Sequence, residues 1–201
     1  MSRYSGYDDD EDFPGQFEMY QANLRRALKG KRGRRFLAEL REALLALPQA
    51  RLIEGAMCTV GAEKRKAELL ADAEREKAYL DSRYAERYGP AELDTESADE
   101  LDRHVQRDGE GVCAIGAYLW HQKVKAGMDP AEAFDSLPLI LGTADGGLHE
   151  TAGMVAQRGD VASMVAWEVA YMNDESFDAK TPEERHAAFI AWIDKALAGA
   201  S

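Results

Sequence analysis

The sequence predicts an all-α fold: a compact multi-helix domain that begins with a helix-turn-helix-like hairpin and carries a long charged helix. Three observations support this class. Apolar residues recur at helical spacing along most of the chain, specific helix start signals precede several of these stripes, and no segment has the alternation and turn chemistry of a β-hairpin. With 201 residues, the chain is long enough for one domain with a genuine core.

The hairpin consists of the two N-terminal helices. The first is predicted over 17–29, where Gly30 suits the position just after a helix end. After a turn at 31–33, the second is predicted from Arg34 to about Ala46, with Pro48 stopping it. Two helices joined by a short glycine-bearing turn are the outline of a DNA-reading helix-turn-helix motif and also of an ordinary packed hairpin. The pattern leaves both open. The second helix carries a buried stripe of Phe36, Leu37, Leu40, Leu44 and Leu47.

A long charged helix follows the hairpin. Residues 49–61 are ambiguous, and within them 51–54 fit either a short strand or one more helical turn. By contrast, 61–88 is rich in Ala, Glu, Lys and Arg and almost free of helix breakers. The apolar stripe of this helix is thin, and Gly89 and Pro90 end it. We therefore predict a helical insertion over 61–90, which serves either as one exposed helix of the bundle or as an arm for a partner.

The rest of the chain predicts further helices around a buried core. Asp129 and Thr181 each precede a proline, with a glutamate three residues on, which is a specific start signal. Ser97 and Glu100 match a capping box, and 111–120 is apolar on every side, as in a buried central helix. The predicted helices cover 97–108, 111–120, 130–136, 151–157, 161–172 and the segment from Pro182, with a loop at 142–147 and a break at 173–175.

Composition predicts one folded domain with a disordered tail. Residues 1–15 contain the unbroken acidic run 8–12 followed by Pro14 and Gly15, with too little apolar material to offset the entropy of ordering. Residues 16–201 form the single α-helical domain. The tail is either a solvated terminus or a segment that folds back on basic residues downstream and competes with an anionic ligand.

Charge distribution is the clearest functional signal. The formal net charge is −12, yet the eleven residues 25–35 hold seven cations and no acid. Removing the seven leaves 18 Lys and Arg against 37 Asp and Glu, a balance of −19. Clustered cations focus a positive potential that net charge hides, so we expect a nucleic acid or another polyanion as partner. The predicted nucleic-acid-binding residues, called the basic cluster below, are Arg25, Arg26, Lys29, Lys31, Arg32, Arg34 and Arg35.

Most enzyme and membrane classes find no support in the sequence. No apolar stretch approaches the roughly 18–20 residues that span a bilayer, and the N-terminus lacks the apolar core of a signal peptide, so we expect a cytoplasmic protein with reduced cysteines. Cys58, Cys113 and the four histidines do not fall at metal-ligand spacing, and no phosphate-loop or dinucleotide fingerprint occurs. We predict no catalytic residue, no metal and no cofactor.

Glu168 is the one carboxylate with an unusual setting. It lies on a predicted helix with almost no polar face, so it either ties that helix to a neighbour or acts as a catalytic or ligand-gripping acid. The structural role is the more common of the two. Trp120, Trp167 and Trp192 all lie on predicted core helices, so packing explains them and no base-stacking platform is indicated.

Four sequence islands together resemble a family of uncharacterised bacteriophage and prophage proteins. The resemblance implies a phage-related origin and the cytoplasm of a bacterial host as the setting, and it carries no activity. The chain departs from the family pattern in the charged helix at 61–88, which reads as an insertion, and at His186, where the pattern has tryptophan. The islands are YQANLRRALKGKRG at 20–33, GVCAIGA at 111–117, WEVAYMNDE at 167–175 and TPEER at 181–185.

Three functions remain open. The first is a non-enzymatic, nucleic-acid-associated accessory or regulatory protein that contacts phosphates through the basic cluster. The alternative is an acidic protein-interaction module, including a mimic of DNA, whose acidic segments 8–12 and 92–110 face a basic host or phage protein. The third is an enzyme with a site assembled from dispersed residues such as Glu168 and His121, for which no residue pattern selects a reaction.

Overall fold

The regular secondary structure of the protein is α-helical in a computed structural model. The structure describes residues 16–141, 147–175 and 178–199. In this part of the chain there is no β-strand, only two isolated bridges. The predicted all-α, multi-helix class is therefore confirmed. The helices are α1 (Gln16–Lys29), α2 (Lys31–Ala46), α3 (Ala62–Tyr88), α4 (Glu96–Asp108), α5 (Ala114–Lys125), α6 (Pro130–Asp135), α7 (Gly147–Gly159), α8 (Ser163–Glu175) and α9 (Pro182–Ala198).

The core is centred on α2 and α5. α2 packs against α1, α5 and α9, while α7 and α8 pack on each other and on α5. The buried rings of Phe36 on α2 and Tyr118 on α5 meet edge to face, with centroids 5.0 Å apart. On α5, a Cβ added at Gly116 would lie 2.4 Å from the carbonyl oxygen of Met57, so this close approach requires glycine. The central helix is therefore buried and close-packed, as the sequence predicts.

A single residue, Gly30, connects α1 to α2. The predicted turn at 31–33 is wrong, because these residues already form the first turn of α2. The physical reason lies at Gly33, where an added Cβ would be 2.1 Å from the carbonyl oxygen of Ala27. The absence of a side chain lets the start of α2 lie directly against the end of α1. The helix-turn-helix reading of this hairpin stays a prediction.

The segment between α2 and α3 is irregular. Cys58 forms an antiparallel bridge with Val112, and Ala56 forms one with Leu141. Neither alternative predicted for 51–54, a short strand or a helical turn, is present. Because Val112 is engaged in this pairing, α5 begins at Ala114 and not at Gly111, with the thiol of Cys113 accepting a hydrogen bond from the Gly116 amide.

The observed helix boundaries confirm two predicted caps, and they show that one predicted cap and one predicted helix break are wrong. Asp129 accepts hydrogen bonds from the first turn of α6, and Thr181 accepts one from the Glu184 amide in α9. The capping box at Ser97 is wrong, since α4 already begins at Glu96. The predicted break at 173–175 is also wrong. α8 continues to residue 175, because the side chain of Asn173 is used in tertiary hydrogen bonds described below.

The long helix α3 packs mainly on α4 and leaves its outer face exposed. Its first turn is anchored by buried Arg65, whose guanidinium donates to the carbonyl oxygens of Val60, Phe134 and Leu137. The helix over 61–90 is thus as predicted in extent, and its status as an insertion stays a prediction. Among the described helices, none is long and apolar enough to cross a bilayer. The predicted tail 1–15 and the loop residues 142–146 lie outside the described residues.

Candidate functional site

The basic cluster forms a continuous exposed surface at one end of the helical domain. Three of its residues lie on the last turns of α1, and four lie on the first turns of α2. Because Gly30 alone separates these helices, the two sets of cations are brought together. All seven side chains are exposed to solvent. The structure therefore places every predicted site residue in one region, on two helices that are held in fixed relation by the close approach at Gly33.

A surface groove of about 580 Å³ runs beside the start of α2. Residues at the junction of α1 and α2, including Lys31 and Arg32, line it together with residues 156–157 and 160–162 around the α7–α8 turn. No side chain caps the N-terminus of α2, and its first turn contains no acidic residue. The positive end of the helix dipole and the cations of the first turn thus face the same groove.

Three members of the cluster are engaged within the protein. Arg32 Nε lies 3.5 Å from the Asp160 carboxylate, and an amino nitrogen of Arg35 lies 3.3 Å from the same oxygen. Arg34 donates a hydrogen bond of 2.9 Å to the carbonyl oxygen of Leu197, in the last turn of α9. These cations serve partly to hold the α7–α8 turn and α9 against α2.

The other four members are free of ion pairs among the described residues. Arg26 donates a hydrogen bond to the side chain of Asn23 on its own helix. Arg25, Lys29 and Lys31 make no hydrogen bond or ion pair with any described residue. Since these three carry unneutralised charge, they are the members best able to meet an external anion.

One aromatic residue, Phe36, directly follows the basic cluster in sequence. Its ring is fully buried in the core against Tyr118, so it offers no surface on which an unpaired base could stack. The arrangement is suited to contacts with phosphates, which carry no sequence information by themselves.

The residues considered for catalysis are not brought together into a site. The carboxyl of Glu168 on α8 is half-buried, and burial raises its pKa. Burial, followed by the charge of Lys125, lowers the pKa of His121 on α5. The two side chains share no hydrogen bond or ion pair. Among the described residues, no group of three or more histidine, cysteine, aspartate and glutamate side chains could hold a metal ion.

A polar network at the junction of α4, α8 and α9 was missed at the sequence level. Buried Arg185 at the start of α9 donates to the carbonyl oxygen of Leu52 and to the Glu54 carboxylate, each at 2.7 Å. Buried Asp108 accepts from the Glu54 amide at 3.0 Å and lies 3.7 Å from Arg185. We call these residues the junction network. Its hydrogen bonds join residues more than 50 positions apart in sequence, so no local sequence pattern could have predicted them.

Asn173 and Asp174 complete the junction from the end of α8. Asn173 accepts a hydrogen bond from the Ala114 amide at the start of α5 and donates one to the carbonyl oxygen of Ile53. Asp174 accepts from the Gly55 amide at 3.2 Å. Burial raises the pKa of Asp174 to about 6, and the nearby negative charge of Glu54 acts in the same direction. The network is connected at every step and holds the loop 52–55 in place.

A second surface groove has the opposite charge. It occupies about 450 Å³ beside the start of α4 and is lined by four exposed carboxylates, with Arg103 as the one cation. Within it, Asp94 accepts from the Glu96 amide and Asp99 accepts from the Thr95 hydroxyl, so part of its charge caps the helix. Only the first part of the predicted acidic segment 92–110 supplies carboxylates to this groove, and Asp108 in the same segment is buried. The carboxylates of the groove are Glu92, Asp94, Glu96 and Asp99.

Comparison with known proteins identifies no relative of this chain. The chain matches no protein-family model, no curated protein sequence and no solved structure. The resemblance to phage and prophage proteins accordingly stays a prediction from the four sequence islands.

Proposed function

We propose that the protein is a non-enzymatic, nucleic-acid-associated accessory or regulatory protein that contacts phosphates through the basic cluster. The observation that supports this most directly is the exposed set of seven cations on adjoining helix ends, in a chain whose remaining charge is strongly negative. A phosphate backbone that approaches the basic cluster meets positive charge, whereas the rest of the chain has a formal balance of −19. The phage-related origin and the cytoplasm of a bacterial host belong to this proposal.

Binding of this kind depends on salt and little on sequence. If all seven cations engaged B-form DNA, the logarithm of the binding constant would fall with the logarithm of salt concentration with a slope of about −6. The three free cations alone would give a slope of about −3. We expect a value between these limits, because Arg32, Arg34 and Arg35 already have partners within the protein.

A salt-titrated anisotropy assay with labelled duplex DNA, single-stranded DNA and RNA tests the proposal. The informative variant is Arg25→Gln/Lys29→Gln/Lys31→Gln, which removes the three free cations. We expect it to lose most of the salt-dependent affinity and to flatten the slope by about 3. The matched control is Arg75→Gln/Arg83→Gln/Arg87→Gln, which removes the same charge from exposed positions on α3. Absence of binding by the unmodified protein at 50 mM salt, or equal losses in both variants, would contradict the proposal.

The acidic groove beside α4 favours one alternative, a protein-interaction module that binds a basic protein or imitates DNA. Its carboxylates at Glu92 and Glu96 are exposed and accept no hydrogen bond from described residues, so they can be neutralised without removing a cap. A lysine- and arginine-rich peptide should bind the unmodified protein and lose affinity for Glu92→Gln/Glu96→Gln. The control is Glu74→Gln/Glu86→Gln on the exposed face of α3. Equal peptide affinities in all three proteins would exclude this alternative.

A further inference from the structure

Asp160 is the only non-glycine residue of the described chain with a positive φ, at +47°. It stands in the short turn between α7 and α8 and lines the groove beside the start of α2. Side chains rarely adopt this left-handed conformation, although aspartate and asparagine tolerate it better than most. The Asp160 carboxylate lies against Arg32 and Arg35 of the basic cluster.

That carboxylate is shared by two cations of the cluster. A single oxygen of Asp160 lies 3.5 Å from Arg32 Nε and 3.3 Å from an amino nitrogen of Arg35. The side chains are all well exposed, at 58% for Asp160, 74% for Arg32 and 54% for Arg35. Exposed ion pairs are weak and exchange readily with solvent ions, so this contact can open without disturbing the core.

We propose that Asp160 acts as a built-in competitor for the anion-binding surface. The inference rests on the proposed function and adds how binding there is regulated. In the free protein the single negative charge of Asp160 is shared by Arg32 and Arg35 and offsets part of their positive charge, with Glu39 adding a weaker contact of 3.9 Å to Arg35. A phosphate that binds at these arginines displaces Asp160.

This competition selects the class of ligand. A single phosphate gains little, because it exchanges one anion for another at the same two arginines. A phosphodiester chain also reaches Arg25, Lys29 and Lys31, which Asp160 does not contact, and this additional contact favours displacement. The surface is thereby biased toward extended polyanions over inorganic phosphate and mononucleotides.

The test compares Asp160→Asn with the unmodified protein in the same anisotropy assay. We expect about threefold to tenfold tighter binding of duplex DNA at 50 mM salt, in line with the loss of a surface ion pair on each arginine. The salt slope should steepen by about 1 at most, since the substitution removes one negative charge from the binding surface. Asparagine keeps the left-handed turn, and Asp160→Gly provides a second variant that relieves φ and removes the same charge. Both variants should show the same gain.

The matched control is Asp135→Asn, which removes an equally exposed carboxylate from its pair with Lys64 on other helices. Its affinity should equal that of the unmodified protein. If the unmodified protein binds through its three free cations but Asp160→Asn binds no more tightly, the competitor role is overturned while the proposed function stands. If neither the unmodified protein nor Asp160→Asn binds any nucleic acid at low salt, the proposed function itself fails.

Discussion

Substitution of Asp174 by asparagine should stabilise the protein at neutral pH and leave it nearly unchanged in acid. Asp174 is half-buried at the end of α8, where its carboxylate accepts hydrogen bonds from the Gly55 amide and from the side chain of Asn173. Burial raises its pKa from 3.8 to about 6. The folded unmodified protein holds the proton of Asp174 more tightly than the unfolded chain does. Protonation therefore stabilises the unmodified protein fully below about pH 3.8, and this contribution is lost as the pH rises through about 6.

The size of the effect follows from the pKa difference. A rise from 3.8 to about 6 corresponds to about 3 kcal/mol between the fully protonated and fully ionised limits. Partial exposure of the Asp174 side chain reduces this free-energy difference. A measurement at pH 4.5 also captures only part of it, because this pH lies above 3.8 and the limit of full protonation in both states is not reached. We therefore expect Asp174→Asn to gain about 1–2 kcal/mol more unfolding free energy at pH 8 than at pH 4.5. The amide oxygen of asparagine can still accept from the Gly55 amide.

Urea denaturation followed by circular dichroism at the two pH values measures this difference directly. Exposed Asp178 provides the control, because Asp178→Asn also removes one carboxylate near the end of α8. Its effect on stability should be small, because the side chain is exposed. If Asp174→Asn changed stability by equal amounts at pH 4.5 and pH 8, then its carboxyl would not titrate differently in the folded and unfolded protein. The reasoning from burial would then be refuted.

Two further substitutions test the packing described above. Gly33→Ala should destabilise the protein by about 2 kcal/mol or more, because the added Cβ would lie 2.1 Å from the Ala27 carbonyl oxygen. The control is Gly153→Ala, at a helical glycine with open space around it, which should stabilise the protein by about 0.5–1 kcal/mol. Equal effects of the two substitutions in thermal melts would disprove the close approach at Gly33. Arg185→Met should lower the unfolding free energy by about 1–3 kcal/mol in urea titrations, because the carbonyl oxygen of Leu52 and the carboxylate of Glu54 lose the donor that Arg185 provides. Asp108 keeps its ion pair with Arg107 at 3.1 Å. A loss below 1 kcal/mol would show that the junction network is not needed for stability.

The elements predicted correctly from sequence are those whose causes are local. The starts of α6 and α9 follow from caps within three residues of each helix, and the buried faces of α2 and α5 follow from their apolar residues. The errors occur where a distant residue determines the backbone. α5 starts late because Val112 pairs with Cys58, and α8 continues through Asn173 because that side chain is bonded to α5 and to Ile53.

The candidate site divides in the same way. The seven cations are contiguous in sequence, so their clustering could be predicted, and two adjoining helices keep them together. Their partners could not be predicted. Asp160 lies 125 positions from Arg35, and Leu197 lies 163 positions from Arg34. A count of charges in the sequence treats the seven cations as equal. The tertiary contacts show that Arg32, Arg34 and Arg35 have partners elsewhere in the fold and that, among the described residues, the other four do not.

That separation determines how a function for the basic cluster can be tested. Cations in the first turn of α2 oppose its helix dipole, which is a local cost that a nearby negative group relieves. Asp160 supplies that group to Arg32 and Arg35, and Arg34 is offset by the carbonyl end of α9, where a cation is favourable. Neutralising these three arginines would remove their contacts with α9 and with the α7–α8 turn as well as any anion contact. Only Arg25, Lys29 and Lys31 can report on binding alone, because nothing described in the fold depends on their charge.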